Sequence, residues 1–391
     1  MPSPLRERAD AGSTKVAFFE LFFDLVFVFA VTQLSHRLLG GLTPENALQT
    51  GLLLLAVWWS WMYTTWTTNW FDPDHPVFRT VLTGVMLASL LMAAAIPEAF
   101  EGRALWFALG YTAVQFGRTL YALLASRGSP LAPTFQRMLC WFAVSCALWT
   151  AGAVLGGTAL VVLWVLAVLV DLAGPSRGYF VPGLGRSTTA DWSSIDGAHM
   201  AERCQLFIII ALGESVLLTG VTYSEHSSSP AETAAFAVAF LSSVAFWWIY
   251  FDRTAEASAE AIAACPDPGR IGRNAYTYGH IPMVAGIIVS AVADELVIVH
   301  PTGHTTAGTA ATVLGGAALF LAGHLLFTRN VFGRWSRPRL TALALLAVLA
   351  AVYPLLSPIL LALAALLVLI MVPVWDLASS RRSEDNEVDF A

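Results

Sequence analysis

Apolar residues gather into runs of about twenty along this chain, separated by short polar or Pro/Gly-rich breaks. A helix that crosses the bilayer's hydrocarbon core, about 30 Å thick, needs about 20 such residues. Runs of this kind fall at about 17–39, 47–69, 77–97, 104–126, 134–155 and 158–174. A second set follows at about 199–223, 231–251, 274–299, 307–328, 338–357 and 358–376. The pattern predicts an all-α integral membrane protein with about twelve transmembrane helices. Pro354 and Pro358 mark the break between the last two runs, and proline there makes either a tight turn or a kink, so eleven is the alternative count. The first run is too long for a signal-peptide core and has no small-residue cleavage pattern after it, so it reads as a retained helix.

Composition agrees. Only 12% of residues are charged and 57% are hydrophobic, against roughly 25% charged in soluble domains. The charges also set an orientation. With the N-terminus inside, the cytoplasmic loops receive Arg6, Arg8, Lys15, Arg79, Arg127, Arg137, Arg177, Arg186, Arg253, Arg270, Arg273, Arg329, Arg334, Arg337, Arg339, Arg381 and Arg382, and the opposite side only Arg37 and Arg103. That asymmetry predicts both termini in the cytoplasm. A net charge of −6 with no long basic run gives no reason to expect a nucleic-acid partner. Cys140, Cys146, Cys204 and Cys265 form no CxxC pair and read as small apolar residues.

The two sets of six runs resemble each other in order. Glu20 opens the first helix and Glu202 opens the seventh; Trp59, Trp61 and Tyr63 in the second match Trp247, Trp248 and Tyr250 in the eighth. Gly117-Arg118 answers Gly323-His324, and Asp171-Leu172-Ala173 answers Asp376-Leu377-Ala378. An even number of helices per half makes the repeats parallel. The expected organisation is a six-helix half over 1–174, a cytoplasmic linker over 175–198, a second half over 199–378 and a cytoplasmic tail over 379–391. The Ala/Glu-rich stretch 254–264 is expected to form a short surface helix.

Ionisable groups within such spans cost roughly 2.5–3.5 kcal/mol each on insertion scales, so they are the candidate site. Glu20 and Asp24, four apart, share a helix face. Glu20 also suits a first-turn dipole role. Asp24 and Arg118 lie at similar depths, roughly 10 and 12 Å at 1.5 Å per residue, and are expected to pair. His199 and Glu202 share a face, as do Arg203 and Glu214. Glu214 interrupts an apolar run after Gly213. It reads either as a proton-coupling group or as a neutral interhelical hydrogen-bonding one. His280 and His324 are candidate polar groups that could join His199 and Glu202 around a metal. No compact metal, nucleotide or nucleophile motif is present, so no cofactor is expected.

The stretch Glu20-Leu21-Phe22-Phe23-Asp24-Leu25-Val26-Phe27-Val28-Phe29-Ala30 resembles the first-helix signature of the bacterial low-temperature-requirement A (LtrA) family. His199-Met200-Ala201-Glu202-Arg203 with 206–215 is similar to the family's second signature, and Tyr278-Gly279-His280-Ile281-Pro282 with Gly286-Ile287 to a third. The resemblance implies a bacterial multi-pass inner-membrane protein and supplies no biochemical activity. The first motif is also similar to the first-helix FSD motif of a potassium channel family with six-helix repeats, with Phe23 in place of Ser.

The function these features suggest is transport or permeation of a small solute or ion by way of intramembrane carboxylates, along a path between the halves. The partners expected are the lipid bilayer and that solute or ion. The alternatives are a non-transporting sensor or stability factor, and a membrane-embedded enzyme acting on a lipid-like substrate with His199, Glu202 and His280 as acid/base groups.

Overall fold

A computed structural model describes residues 5–6, 16–188, 191, 195–226, 229–252, 254–265 and 267–388, with side chains as far as 379. Arg8, Lys15, Arg253 and the side chains of Arg381 and Arg382 lie outside the described residues. The described chain is helical, and its only strand-like pairing is two isolated bridges, Leu5 with Phe71 and Val181 with Gly185. Among the described residues, ten helices are long and apolar enough to cross a membrane. They account for ten of the twelve predicted runs. The other two runs are helical as well. One is α2 (Pro44–Trp70), whose Thr- and Trp-rich second half lowers its mean hydropathy. The other is a rod of α4 (Ala104–Thr112), a π turn (Ala113–Gly117) and α5 (Arg118–Ala125). The break at Pro354 is a turn: α14 (Arg337–Val352) ends in a 3₁₀ turn at Tyr353–Leu355, and α15 (Pro358–Val388) follows. The helix expected over 254–264 is α10 (Thr254–Ala263), and the one-turn α11 (Pro268–Ile271) follows it.

The chain forms two compact units. The first holds Met1–Phe207 and Ile262–Arg273, and the second Ile208–Ala261 and Asn274–Ala391. Helix α8 (Gly197–Ser224) contributes residues to both.

In the first unit, α1 (Phe18–Leu39) turns its aromatic face outward. Phe18, Phe22, Leu25 and Phe29 are exposed, while Glu20, Phe23, Asp24 and Phe27 are buried. Charge inside and hydrocarbon outside is what a lipid solvent selects. Helix α2 is buried on every side from Leu52 through Leu54 and from Ala56 to its end. Its hydroxyls cannot reach water, so Thr64 donates to the carbonyl of Ser60 at 2.8 Å and Thr67 to that of Tyr63 at 2.7 Å. Helices α3 (Pro76–Ala95), α6 (Ala132–Leu155) and α7 (Gly157–Ser176) complete the unit. The α6–α7 link uses Gly156 and Gly157 at φ 68° and 53°, a left-handed corner that favours glycine.

The predicted linker is more than a tether. After α7 the chain folds back, Tyr179 becomes buried and its hydroxyl bonds that of Tyr63. Arg137 reaches Asp191 at 3.2 Å, and Asn69 holds Asp196.

In the second unit, α9 (Pro230–Phe251) starts with a reciprocal cap. Ser229 Oγ accepts from the Glu232 N–H at 3.3 Å, and Glu232 accepts from the Ser229 N–H at 2.8 Å. Helices α12 (His280–Val299) and α13 (Ala307–Phe332) pack backbone to backbone. A Cβ at Gly286 would lie 2.5 Å from the Phe320 nitrogen, and one at Gly323 2.7 Å from the Met283 nitrogen. Small residues permit this approach in a membrane, where van der Waals contact holds helices together.

Candidate functional site

The first unit gathers Glu20, Asp24, His199 and Arg203 into one fully buried cluster. Helix α1 supplies the two carboxylates from one face, and α8 supplies His199 and Arg203, four apart on its own face. Arg203 stands between the carboxylates. Its Nη2 donates to Asp24 Oδ1 at 2.6 Å, and its Nη1 lies 3.4 Å from Glu20 Oε1. Its guanidinium also lies over the rings of Phe23 and Trp61, at 5.7 and 5.9 Å.

The carboxylates are held unequally. Glu20 Oε2 accepts from the Ala17 N–H at 3.0 Å, from Arg6 at 3.2 Å and from His199 Nε2 at 3.1 Å. Arg6 is set in place because its own N–H donates to the Trp70 carbonyl at 2.9 Å. Asp24 Oδ1 accepts from Arg203 and from Trp61 Nε1 at 2.7 Å. Asp24 Oδ2 and Arg203 Nε, both buried, have no hydrogen-bond partner among the described residues.

Asn69 sets the state of His199. The Asn69 amide accepts from the Asp196 N–H and donates to the Asp196 carbonyl, both at 2.9 Å, so its orientation is determined. Its remaining N–H faces His199 Nδ1 at 3.4 Å. Nδ1 is therefore the acceptor, and Nε2 carries the proton donated to Glu20. With a neutral imidazole, two carboxylates balance Arg6 and Arg203.

Arg118 does not pair with Asp24. It donates to Gln115 Oε1 at 2.5 Å, to Thr64 Oγ1 at 3.1 Å and to the Ser60 carbonyl at 3.4 Å. Gln115 in turn donates to the Tyr111 hydroxyl at 3.1 Å, and Tyr111 donates to Asp171 Oδ2 at 2.6 Å. Equal depth was a sound condition for pairing but an incomplete one. Arg118 follows a π turn that directs it to α2 and Gln115, and Arg203 fills the place beside Asp24. Glu202, one residue from Arg203, is half-buried and makes no ion pair with the described residues. Glu214 is buried in the second unit.

His280 and His324 lie in the second unit, His280 with both ring nitrogens engaged and His324 with Nδ1 engaged and a buried Nε2 that has no hydrogen-bond partner among the described residues. The Ala275 carbonyl lies 3.2 Å from His280 Nδ1 and requires a proton there, leaving Nε2 to accept from Tyr250 at 2.8 Å. Arg339 donates its Nε–H to His324 Nδ1 at 3.2 Å and also pairs with Asp376. A metal needs a free imidazole lone pair, and neither ring offers one. Among the described residues no group of three or more His, Cys, Asp or Glu is arranged to hold a metal ion.

Arg6, Trp61, Asn69 and Asp171 were not predicted as site residues. Arg6 read as a loop charge, and Trp61 and Asp171 entered only as repeat marks. Asn69, a lone amide in an apolar run, was the one signal available for that position.

The family model described as bacterial low temperature requirement A protein (LtrA) matches residues 15–374. An uncharacterized protein of Rhizobium meliloti (strain 1021) is 39% identical over 328 residues, covering 82% of this chain and 79% of that protein. No solved structure matches.

Proposed function

The chain belongs to the bacterial LtrA family of multi-pass membrane proteins, and from that premise we propose that it moves a small solute or ion across the cytoplasmic membrane. In this reading Glu20, Asp24, His199 and Arg203 form the working site. Both termini are cytoplasmic, and two parallel six-helix halves, 1–174 and 199–378, are joined by the segment 175–198.

One observation carries the proposal. Two carboxylates and a guanidinium, each 0% exposed and brought to charge balance by the half-buried Arg6, lie on helices long and apolar enough to cross a bilayer. Each such group costs roughly 2.5–3.5 kcal/mol to insert, and a buried ion pair seldom repays its desolvation against an apolar replacement. A bundle built for stability alone gains more from leucine there. The unequal holding of the two carboxylates also supports a division of roles. Glu20, with three donors on one oxygen, is an anchor, and Asp24, with an oxygen left over, is the group that changes state.

The test is flux through the purified chain in sealed liposomes, followed under imposed proton, sodium and potassium gradients. A flux that Asp24→Asn lowers at least tenfold, with Glu202→Gln as an unaffected control, supports the reading. Absence of flux under every gradient refutes it.

A further inference from the structure

We infer that the ion exchanged at this site is the proton, taken up at Asp24 Oδ2, with Arg203 as the arm that changes partner when it binds; this rests on the transport reading above. Asp24 Oδ2 and Glu20 Oε1 are the carboxylate oxygens of the cluster that accept no hydrogen bond from the described residues. A hard metal cation takes six or more oxygen ligands, and the described residues leave two carboxylate oxygens open here. Arg203 also stands beside both, 3.4 Å from Glu20 Oε1 and 2.6 Å from the other oxygen of Asp24. A metal ion placed there would meet a like charge at close range. An anion would meet two carboxylates. A proton needs one lone pair and no coordination shell, and Asp24 Oδ2 supplies it.

The step balances simply. A hydronium ion gives its proton to Asp24 Oδ2, an O–H bond forms, a water molecule leaves and the carboxylate charge is cancelled. Arg203 Nη2 then loses its ionic partner. Two acceptors stand ready on the same side: Thr65 Oγ1, already 3.5 Å from Nη2, and Glu20 Oε1, 3.4 Å from Nη1. Arg203 therefore has two arrangements, one shared between the carboxylates and one on Glu20 and Thr65, and the protonation state of Asp24 selects between them.

Among the described residues, the surrounding groups are few. From α1 the cluster receives Glu20, from α8 His199, Arg203 and the buried Cys204, and from the N-terminal segment Arg6. Helix α2 offers Trp61 and Thr65. The one charged side chain of α3, Arg79, pairs with Asp74 at 2.6 Å. The phenol of Tyr63 bonds Tyr179 instead.

The experiment has a binding arm and a flux arm, both on the full chain in lipid. Infrared difference spectra between acid and alkaline pH should show a protonated-carboxyl C=O band. That band should vanish in Asp24→Asn, persist in Glu20→Gln and change frequency in Trp61→Phe, which removes one donor from Asp24 and keeps the guanidinium. If Asp24→Asn does not fold, the Trp61→Phe shift still decides. A band indifferent to Trp61→Phe, or one lost in Glu20→Gln, overturns the inference. In the flux arm, movement driven by a pH gradient is expected. Movement driven by sodium or potassium and indifferent to pH overturns the proton while leaving transport intact. The Asp24 band without flux under any gradient overturns transport and, with it, the exchange role, while leaving the protonation site.

Discussion

Replacing Arg203 with methionine removes the one guanidinium that contacts Asp24 among the described residues, and the cost can be worked from what remains. Glu20 keeps Arg6, His199 and the Ala17 N–H. Among the described residues, Asp24 keeps only the Trp61 indole. The loss therefore falls on Asp24. Breaking a buried pair by removing one partner costs about 3–5 kcal/mol. Protonation sets a ceiling, because an ordinary carboxyl near 3.9 takes up a proton at pH 7 for about 4 kcal/mol. The expected destabilisation is thus about 4 kcal/mol at pH 7. The folded variant then carries a proton that the unfolded chain lacks, so its stability rises as pH falls, by about 1.4 kcal/mol per unit. Asp24→Asn in the same background removes the need for that proton and should restore about 2–3 kcal/mol. Glu20→Gln should restore less than about 1 kcal/mol, since Glu20 is otherwise paired. Equilibrium unfolding in mixed micelles, followed by tryptophan fluorescence, measures all of these. A pH-independent Arg203→Met, or a larger rescue by Glu20→Gln than by Asp24→Asn, would refute the reasoning.

Three further outcomes follow from the geometry. Gly286→Ala should destabilise the chain by about 1–3 kcal/mol or abolish folding, because its Cβ would meet the backbone of α13; Gly315→Ala, with nothing within 4 Å, should change stability by less than about 0.5 kcal/mol in the same unfolding assay. Tyr111→Phe strands both Asp171 Oδ2 and Gln115 Nε2 and should cost about 1–3 kcal/mol, whereas Tyr353→Phe, near a chain turn, should be close to neutral. Zinc or a chelator should leave the thermal midpoint unchanged, since the lone pairs at His280 Nε2 and His324 Nδ1 are already engaged; a shift of several degrees would show a metal site.

Membrane class, span positions and the identity of the ionisable groups are properties of local sequence, and they were legible. An apolar run of about twenty residues has few alternatives in lipid, because every backbone group must be satisfied within the segment. The turn at Pro354 and the helix at 254–263 are local in the same sense. Helix faces were legible too: Glu20 and Asp24 do share one.

What periodicity cannot carry is which face meets which. Depth pointed to Arg118 as the partner of Asp24, whereas Arg203, six residues into α8, holds that place in the fold. The choice was made by the π turn ahead of Arg118 and by the packing that sets α8 against α1 within the first unit. The same holds for the small groups that complete the site. Asn69 clamps Asp196 from 127 positions away in the chain, and Tyr179 returns from an apparent linker to the Tyr63 phenol. Such contacts are decided by tertiary packing, because a hydrogen bond between distant residues leaves no period in the chain. The sequence alone thus establishes that charges lie buried in a membrane protein of this family. Only the folded arrangement leaves Asp24 with an oxygen open while Glu20 is held by three donors.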